Sequence, residues 1–251
     1  MSSLTPQLVE RISRAVDERR DEIVALLQEL VRVPSVTNDE GSVQSVVEGA
    51  CRDLGLTIDR WEATAVEIAE YHDHVGMQEV FDGRPNIAAR RDGAGGGRSI
   101  LLNAHIDTVA SGDPETWSHD PFGGEVVGDL LYGRGSCDMK GGLVSHLAAL
   151  DVLGNLGIRL AGDVTVLSTV GEEDGGLGAL SSILRGYRAN AVLITEPTRL
   201  ALVTAQGGSL VFRMTIQGKS AHAAVRDEGV SALEKFVPIF LDLMEFERER
   251  G

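Results

Sequence analysis

Three short apolar runs in this chain each end in side chains able to hold a cation or move a proton. His105-Ile106-Asp107 follows Ser99–Ala104 (SILLNA), and Gly171-Glu172-Glu173-Asp174 follows Val164–Val170 (VTVLSTV). Glu196-Pro197-Thr198 follows Ala191–Thr195 (AVLIT). A fourth acidic residue, Asp138, stands in the polar stretch GRGSCDMKGG at 133–142. Imidazole nitrogen and carboxylate oxygen are the donors zinc prefers, and the second carboxylate of a His-x-Asp pair can orient the imidazole and raise its basicity. Hydrolysing an amide at neutral pH needs an activated water, a base and charge neutralisation at the carbonyl oxygen. Two cations roughly 3.5–4 Å apart supply the first and third by bridging one hydroxide. A spare carboxylate beside them serves as the base.

The elements around these residues explain how they would meet. The apolar runs are rich in Val, Ile, Leu and Thr, and helical patterns at Lys140–Leu153 and Leu177–Leu184 separate them. Continuous apolar strands with helical crossovers predict a sheet covered on both faces, hence an α/β sandwich. In open sheets of this kind the ligand crevice lies outside the carboxyl ends of the strands. Upstream, apolar spacing predicts one helix from Pro6 to Val33, ended by Pro34, and a second from Ser42 to Leu54, stopped by Gly55. Gly83-Arg84-Pro85-Asn86 opens a strand reaching Arg91. The glycine-rich 92–98 segment reads as a flexible hairpin turn, because no helix follows it as a dinucleotide-binding fingerprint requires. Beyond Glu196 the pattern changes: Leu210–Gln217 alternates like a half-exposed strand, and Val230–Arg250 is an amphipathic helix that Pro238 is expected to kink or to start later.

The bulk numbers exclude some partners. The 251 residues carry 23 Lys and Arg against 38 Asp and Glu, a formal charge of −15, which repels phosphate backbones and anionic lipid. Nucleic-acid and membrane partners are therefore not expected. Two cysteines without a CxxC pair indicate neither a disulfide framework nor a zinc finger, and no signal-peptide pattern opens the chain. A cytoplasmic setting is the expectation. Cys137 reads as a small buried filler, and His72, His74, His119 and His146 as structural or surface residues.

AHIDTV at 104–109, GRGSCDMKGG at 133–142, GEEDGG at 171–176, TEPT at 195–198 and GKSAHAA at 218–224 together resemble the ordered motif set of a metal-dependent amidohydrolase and metallopeptidase family. That family includes acetylornithine deacetylase, succinyl-diaminopimelate desuccinylase, aminoacylase and carboxypeptidase G. The resemblance runs from about Asn86 to Ala232. It implies a three-layer α/β/α zinc-peptidase-like catalytic domain, residues 1–203, and the start of an inserted α+β lid or dimerisation domain, residues 204–251. It further implies two divalent metal ions, zinc first, with cobalt or manganese as alternatives. His105 and Glu196 would bind one metal, Asp138 would bridge, and Glu173 would bind the second. Glu172 would be the general base acting on a metal-bridging water. Asp107 would orient His105, and His222 would reach from the lid across a dimer interface to the scissile carbonyl. The substrate would be an N-acyl amino acid of acetylornithine or succinyl-diaminopimelate type, with a di-zinc peptidase, or a fragment that only binds metal or a homologous subunit, as the alternatives.

Each residue also has a plainer role open to it. Asp138 suits the N-cap of the following helix, Glu172 and Glu173 a solvated acidic turn, Glu196 an ordinary turn, and His222 an exposed loop. The resemblance further implies a later histidine ligand and a returning part of the catalytic sheet. Neither is found before Gly251, so the sequence reads as a fragment of a longer hydrolase that is a homodimer at full length.

Overall fold

The computed structural model describes residues 5–71, 75, 80–205, 207 and 213–250. It falls into two compact units, 1–202 and 203–251.

The first unit opens with α1 (Pro6–Glu18), whose start follows from sequence. Thr5 accepts the amide of Leu8 as N-cap, and Pro6 takes the first helical position, where a missing N–H costs nothing. The single helix expected over Pro6–Val33 is instead two, because the chain turns at Arg19 and restarts as α2 (Arg20–Arg32). Apolar spacing continues across the break, so periodicity alone could not locate it. The Arg19 side chain bonds Glu22 on α2 and Asp151 elsewhere. No residue of α1 is buried, whereas Leu30 and Val31 of α2 are. α3 (Gly41–Asp53) ends where expected: Gly55 takes φ +65°, and the amides of Gly55 and Leu56 return to the carbonyls of Arg52 and Cys51.

The sheet comprises β1 (Thr57–Glu62), β2 (Pro85–Arg91), β3 (Ile100–His105), β6 (Val164–Thr169) and β7 (Ala191–Ile194), in the order β1-β2-β6-β3-β7. β3 runs parallel to both β6 and β7, while β2 is antiparallel to β1 and β6. A short helix, α4 (Ala65–Ile68), follows β1, and a small ribbon, β4 (Glu125–Val127) with β5 (Leu130–Tyr132), stands apart. α5 (Gly141–Asn155) crosses from β5 to β6, and α6 (Leu177–Leu184) from β6 to β7.

Strand alternation sorts the core into layers. Ile87, Ala89, Leu102, Ala104, Val164 and Val166 pack on one side with Leu30, Val43, Val47, Leu143 and Leu147 of α2, α3 and α5. Ala88, Leu101 and Leu167 face the other way, against Trp61. On that side the indole N–H of Trp61 bonds Ser181 of α6. This is the α/β fold with helices on both faces that the apolar runs predicted.

Three expectations need correction. The 92–98 loop is no hairpin, since β6 lies between β2 and β3. It is pinned to the approach to β6, with Ala94 and Gly95 donating to the carbonyls of Leu160 and Ala161, and a Cβ at Gly93 would lie 2.5 Å from the Gly162 carbonyl carbon. Cys137 is exposed, because its turn directs Met139 and Lys140 inward instead. β7 is exposed along its length, although its sequence is as apolar as that of β3 or β6.

The second unit contains α7 (Ala232–Arg250), which passes through Pro238 unbroken. Residues 210–212 of the expected strand lie outside the described residues, and 213–217 adopt no strand. No helix among the described residues is long and apolar enough to cross a membrane.

Candidate metal centre

The parallel register brings the candidate residues to one edge. His105 is the last residue of β3 and pairs with Thr169, the last of β6, so the turn carrying Glu172 and Glu173 begins beside it. Ile194 of β7 pairs with Asn103, which sets Glu196 level with His105. At the end of β7, Thr195 packs so closely on α5 that a Cβ at Gly142 would collide with its side chain.

Asp138 arrives from the side, in the tight turn Ser136–Lys140 after Gly135, whose φ is +81°. Lys140 fixes this turn. Its fully buried ammonium donates to the carbonyls of Leu30 at 2.8 Å and Val33 at 3.1 Å, at the C-terminal end of α2. Burial lowers its pKa to about 8. Asp138 makes no capping bond to α5, which starts without a side-chain cap, so the plainer role does not apply.

The donors converge. Single ligand atoms of His105, Asp138 and Glu173 all lie within 4.8 Å of one another. Nε2 of His105 is 3.1 Å from Oδ1 of Asp138 and 4.0 Å from Oε2 of Glu172. The other ring nitrogen, Nδ1, is 2.9 Å from the Asp107 carbonyl oxygen and 3.6 Å from its Oδ1. Asp107 thus orients the ring chiefly through its backbone. Its fully buried carboxylate is engaged elsewhere, accepting the amides of Glu172 and Glu173 at 3.1 Å each and the Thr37 hydroxyl at 3.2 Å. One aspartate therefore sets both the imidazole and the acidic turn.

The electrostatics describe a cluster short of positive charge. Burial raises the pKa of Glu173, and the neighbouring Asp138, Glu172 and Asp107 charges add to the rise. Burial raises Glu196 too, reinforced by the charges of Asp138 and Glu172 and by a hydrogen bond with Asp138. Two carboxylates in such contact require a shared proton or a cation between them. Burial opposes a charged His105, yet Asp107, Glu172 and Glu196 outweigh it and push the imidazole up to about 9. Burial likewise opposes the Asp107 charge, but His105 and the two amides hold that carboxyl below its usual range. The chemistry of the set, one imidazole among carboxylates, fits a divalent cation, which would displace the proton from His105.

The structure brings together His105, Asp107, Asp138, Glu172, Glu173 and Glu196. His222 belongs to the second unit, where its Nδ1 accepts the Ala224 amide at 3.2 Å and caps the short helix Ala223–Glu228. Among the other histidines, His119 bonds Glu125 against the Tyr132 ring, and His146 is buried in α5. His72 and His74 lie outside the described residues. Sequence reasoning missed the supporting residues Thr37, Glu40, Arg84, Asn86 and Lys140. Lys140 had a local signal, a lysine beside Asp138 at the mouth of a helix. Glu40 and Arg84 had none, since their contact spans 44 positions.

A mixed sheet thus gathers one imidazole and five carboxylates at the carboxyl ends of its strands and in the neighbouring turn. The chain belongs to Peptidase family M20/M25/M40, whose model matches residues 101–237. It is 30% identical over 258 residues to N-formyl-4-amino-5-aminomethyl-2-methylpyrimidine deformylase of Bacillus subtilis, covering 96% of this chain and 56% of the relative. It is 33% identical over 215 residues to succinyl-diaminopimelate desuccinylase of Methylobacterium radiotolerans, covering 81% and 51%. The chain thus spans about half the length of the curated relatives it matches. Human carnosine dipeptidase 1 shares the fold with a TM-score of 0.62 at 20% identity, over 75% of this chain and 41% of that one. An M20 metallo-carboxypeptidase from Sulfolobus solfataricus gives 0.57 at 20% identity, over 69% and 37%.

Proposed function

We propose that this chain carries the catalytic unit of a metal-dependent hydrolase that cleaves the amide bond of an N-acyl substrate. The supporting observation is the meeting of His105, Asp138 and Glu173 within 4.8 Å, with Glu172 beside them. His105, Asp138, Glu173 and Glu196 would hold two divalent cations, with Asp138 between them, and zinc suits the donors best while cobalt or manganese remain compatible. When bound, such cations lower the pKa of water and polarise the carbonyl. Glu172, held by its own backbone amide on Asp107, would take the proton from the attacking water and return it to the leaving amine. His222 would reach the scissile carbonyl from the lid across a dimer interface, as the resemblance implies.

The acyl-amide reading is favoured over a peptidase because two relatives are named for removing a formyl and a succinyl group. The dipeptidase and carboxypeptidase likenesses, at 20% identity, speak to fold. An N-acyl amino acid of acetylornithine or succinyl-diaminopimelate type is the proposed substrate. A homodimer through the lid, in a cytoplasmic setting, completes the proposal. The exposed apolar residues of α7, Leu233, Val237 and Leu241 among them, suit a dimer contact.

The test is a substrate panel of formyl, acetyl and succinyl amines beside dipeptides, assayed with the zinc-loaded protein and with Glu172→Gln. Acyl-amine cleavage is expected to fall by about 10²–10⁴-fold in the variant with zinc still bound. Unchanged turnover would remove Glu172 as the base, and preference for dipeptides would favour the peptidase alternative.

A further inference from the structure

The Gly83-Arg84-Pro85-Asn86 segment, at the start of β2, borders the Gly171 end of the acidic turn. Arg84 is 1% exposed, and its guanidinium grips the fully buried Glu40 through two 2.8 Å bonds, Nε to Oε2 and Nη2 to Oε1. A third donor, Nη1, bonds the Val80 carbonyl at 2.9 Å. The same fork faces the turn. A Cβ at Gly171 would lie 2.9 Å from Arg84 Nη2 and 3.1 Å from Asp174 Oδ1, so the guanidinium and the last carboxylate of the turn flank one backbone point. The charges of Asp174 and Asp107 both act on Arg84. Two residues along, Asn86 Oδ1 accepts the Val170 amide at 3.1 Å, immediately before the turn.

We propose that Arg84 is a positioning residue for Glu172 and Glu173, clamping the 171–174 turn at its Gly171 end while Asp107 holds the amides of Glu172 and Glu173. The inference rests on the metal-centre reading for its consequence, but not for its geometry. The buried cation is placed to offset Asp107 and Asp174 next to a site that gathers four further carboxylates. Without it, their mutual repulsion would push the turn outward. The planar fork matters as much as the charge, because it must bond Glu40 and Val80 while its charge stands beside the turn, which an ammonium on a flexible stem does not do.

The experiment compares wild type, Arg84→Lys and the paired replacement Arg84→Met with Glu40→Leu, which removes both charges of the buried ion pair together. Amide hydrogen exchange at Glu172 and Glu173 is read without metal, and cobalt(II) affinity is read by visible absorption. Both variants are expected to keep protection in β3 and β6, to lose at least about tenfold at Glu172 and Glu173, and to bind cobalt about 10–100-fold more weakly. Wild-type protection at both amides in either folded variant would overturn the clamp. If wild type binds no cobalt, the metal-centre reading fails, and the amide comparison still decides the clamp by itself.

Discussion

β6 and β7 flank β3 as parallel neighbours, each apolar and each followed by a candidate metal ligand, yet they live in different surroundings. β6 is buried at five of its six positions, and its terminal turn is tied to Asp107 in front and to Asn86 behind. β7 is exposed at all four, and among the described residues the segment after Glu196 is held by local bonds, Thr198 to Glu196 and Thr198 to Ala201. Two strands with the same sequence signature thus deliver candidate ligands with unequal support. Apolar composition marks a strand for burial, but only a neighbouring layer buries it.

The largest test of that contrast is a pair of truncations read by chemical denaturation. Leu167→Ala, in a site 4% exposed, is expected to cost about 2–5 kcal/mol, and Leu193→Ala, at 42% exposed, about 0.5 kcal/mol or less. Equal costs would show that β7 is covered in the working protein and that the asymmetry is absent there.

Smaller backbone changes sharpen the comparison at the two ligand sites. Gly171 has φ +64° and borders Arg84 and Asp174, so Gly171→Ala strains the β6 turn. Gly142→Ala drives a methyl into Thr195 and displaces the end of β7. Both should weaken cobalt binding by about 10-fold or more, with Gly171→Ala the more damaging because its strained φ adds to the crowding. A larger loss from Gly142→Ala would mean that the approach through β7 governs the site.

The remaining test is a slope with pH. Among the described residues, His146 is buried with no hydrogen-bond partner on either ring nitrogen, and burial lowers its pKa from 6.5 to about 4. Between those values the unfolded chain binds a proton that the folded chain refuses, so stability is full above pH 6.5 and declines as pH falls toward 4. His146→Leu should flatten that decline in denaturant titrations at pH 7, 6 and 5. An unchanged slope would show that His146 is protonated at no cost in the fold.

Much of the first unit was legible because it follows local rules. The strands at 100–105 and 164–169 and the helix at 177–184 came from runs and periods, and the stop at Gly55 from its freedom at positive φ. Placing His105, Glu173 and Glu196 at strand ends needed only the rule that parallel strands present their carboxyl ends together. The break at Arg19 escaped because the apolar spacing runs through it, and the path of the glycine loop because strand order is not written in any single segment.

By itself, then, the sequence determined which side chains could serve a cation and that strand ends would carry them. Tertiary structure alone decided how they are held. Asp107 gives its carbonyl to His105 and its carboxylate to two amides 65 and 66 positions away, and Lys140 ties Asp138's turn to α2 across 110 positions. Buried polar groups must find partners wherever the fold supplies them. Asp107 stands only two positions from His105 and was legible, but the partners of the Asp107 carboxylate and of Lys140 are distant in sequence, so no reading of spacing could have named them.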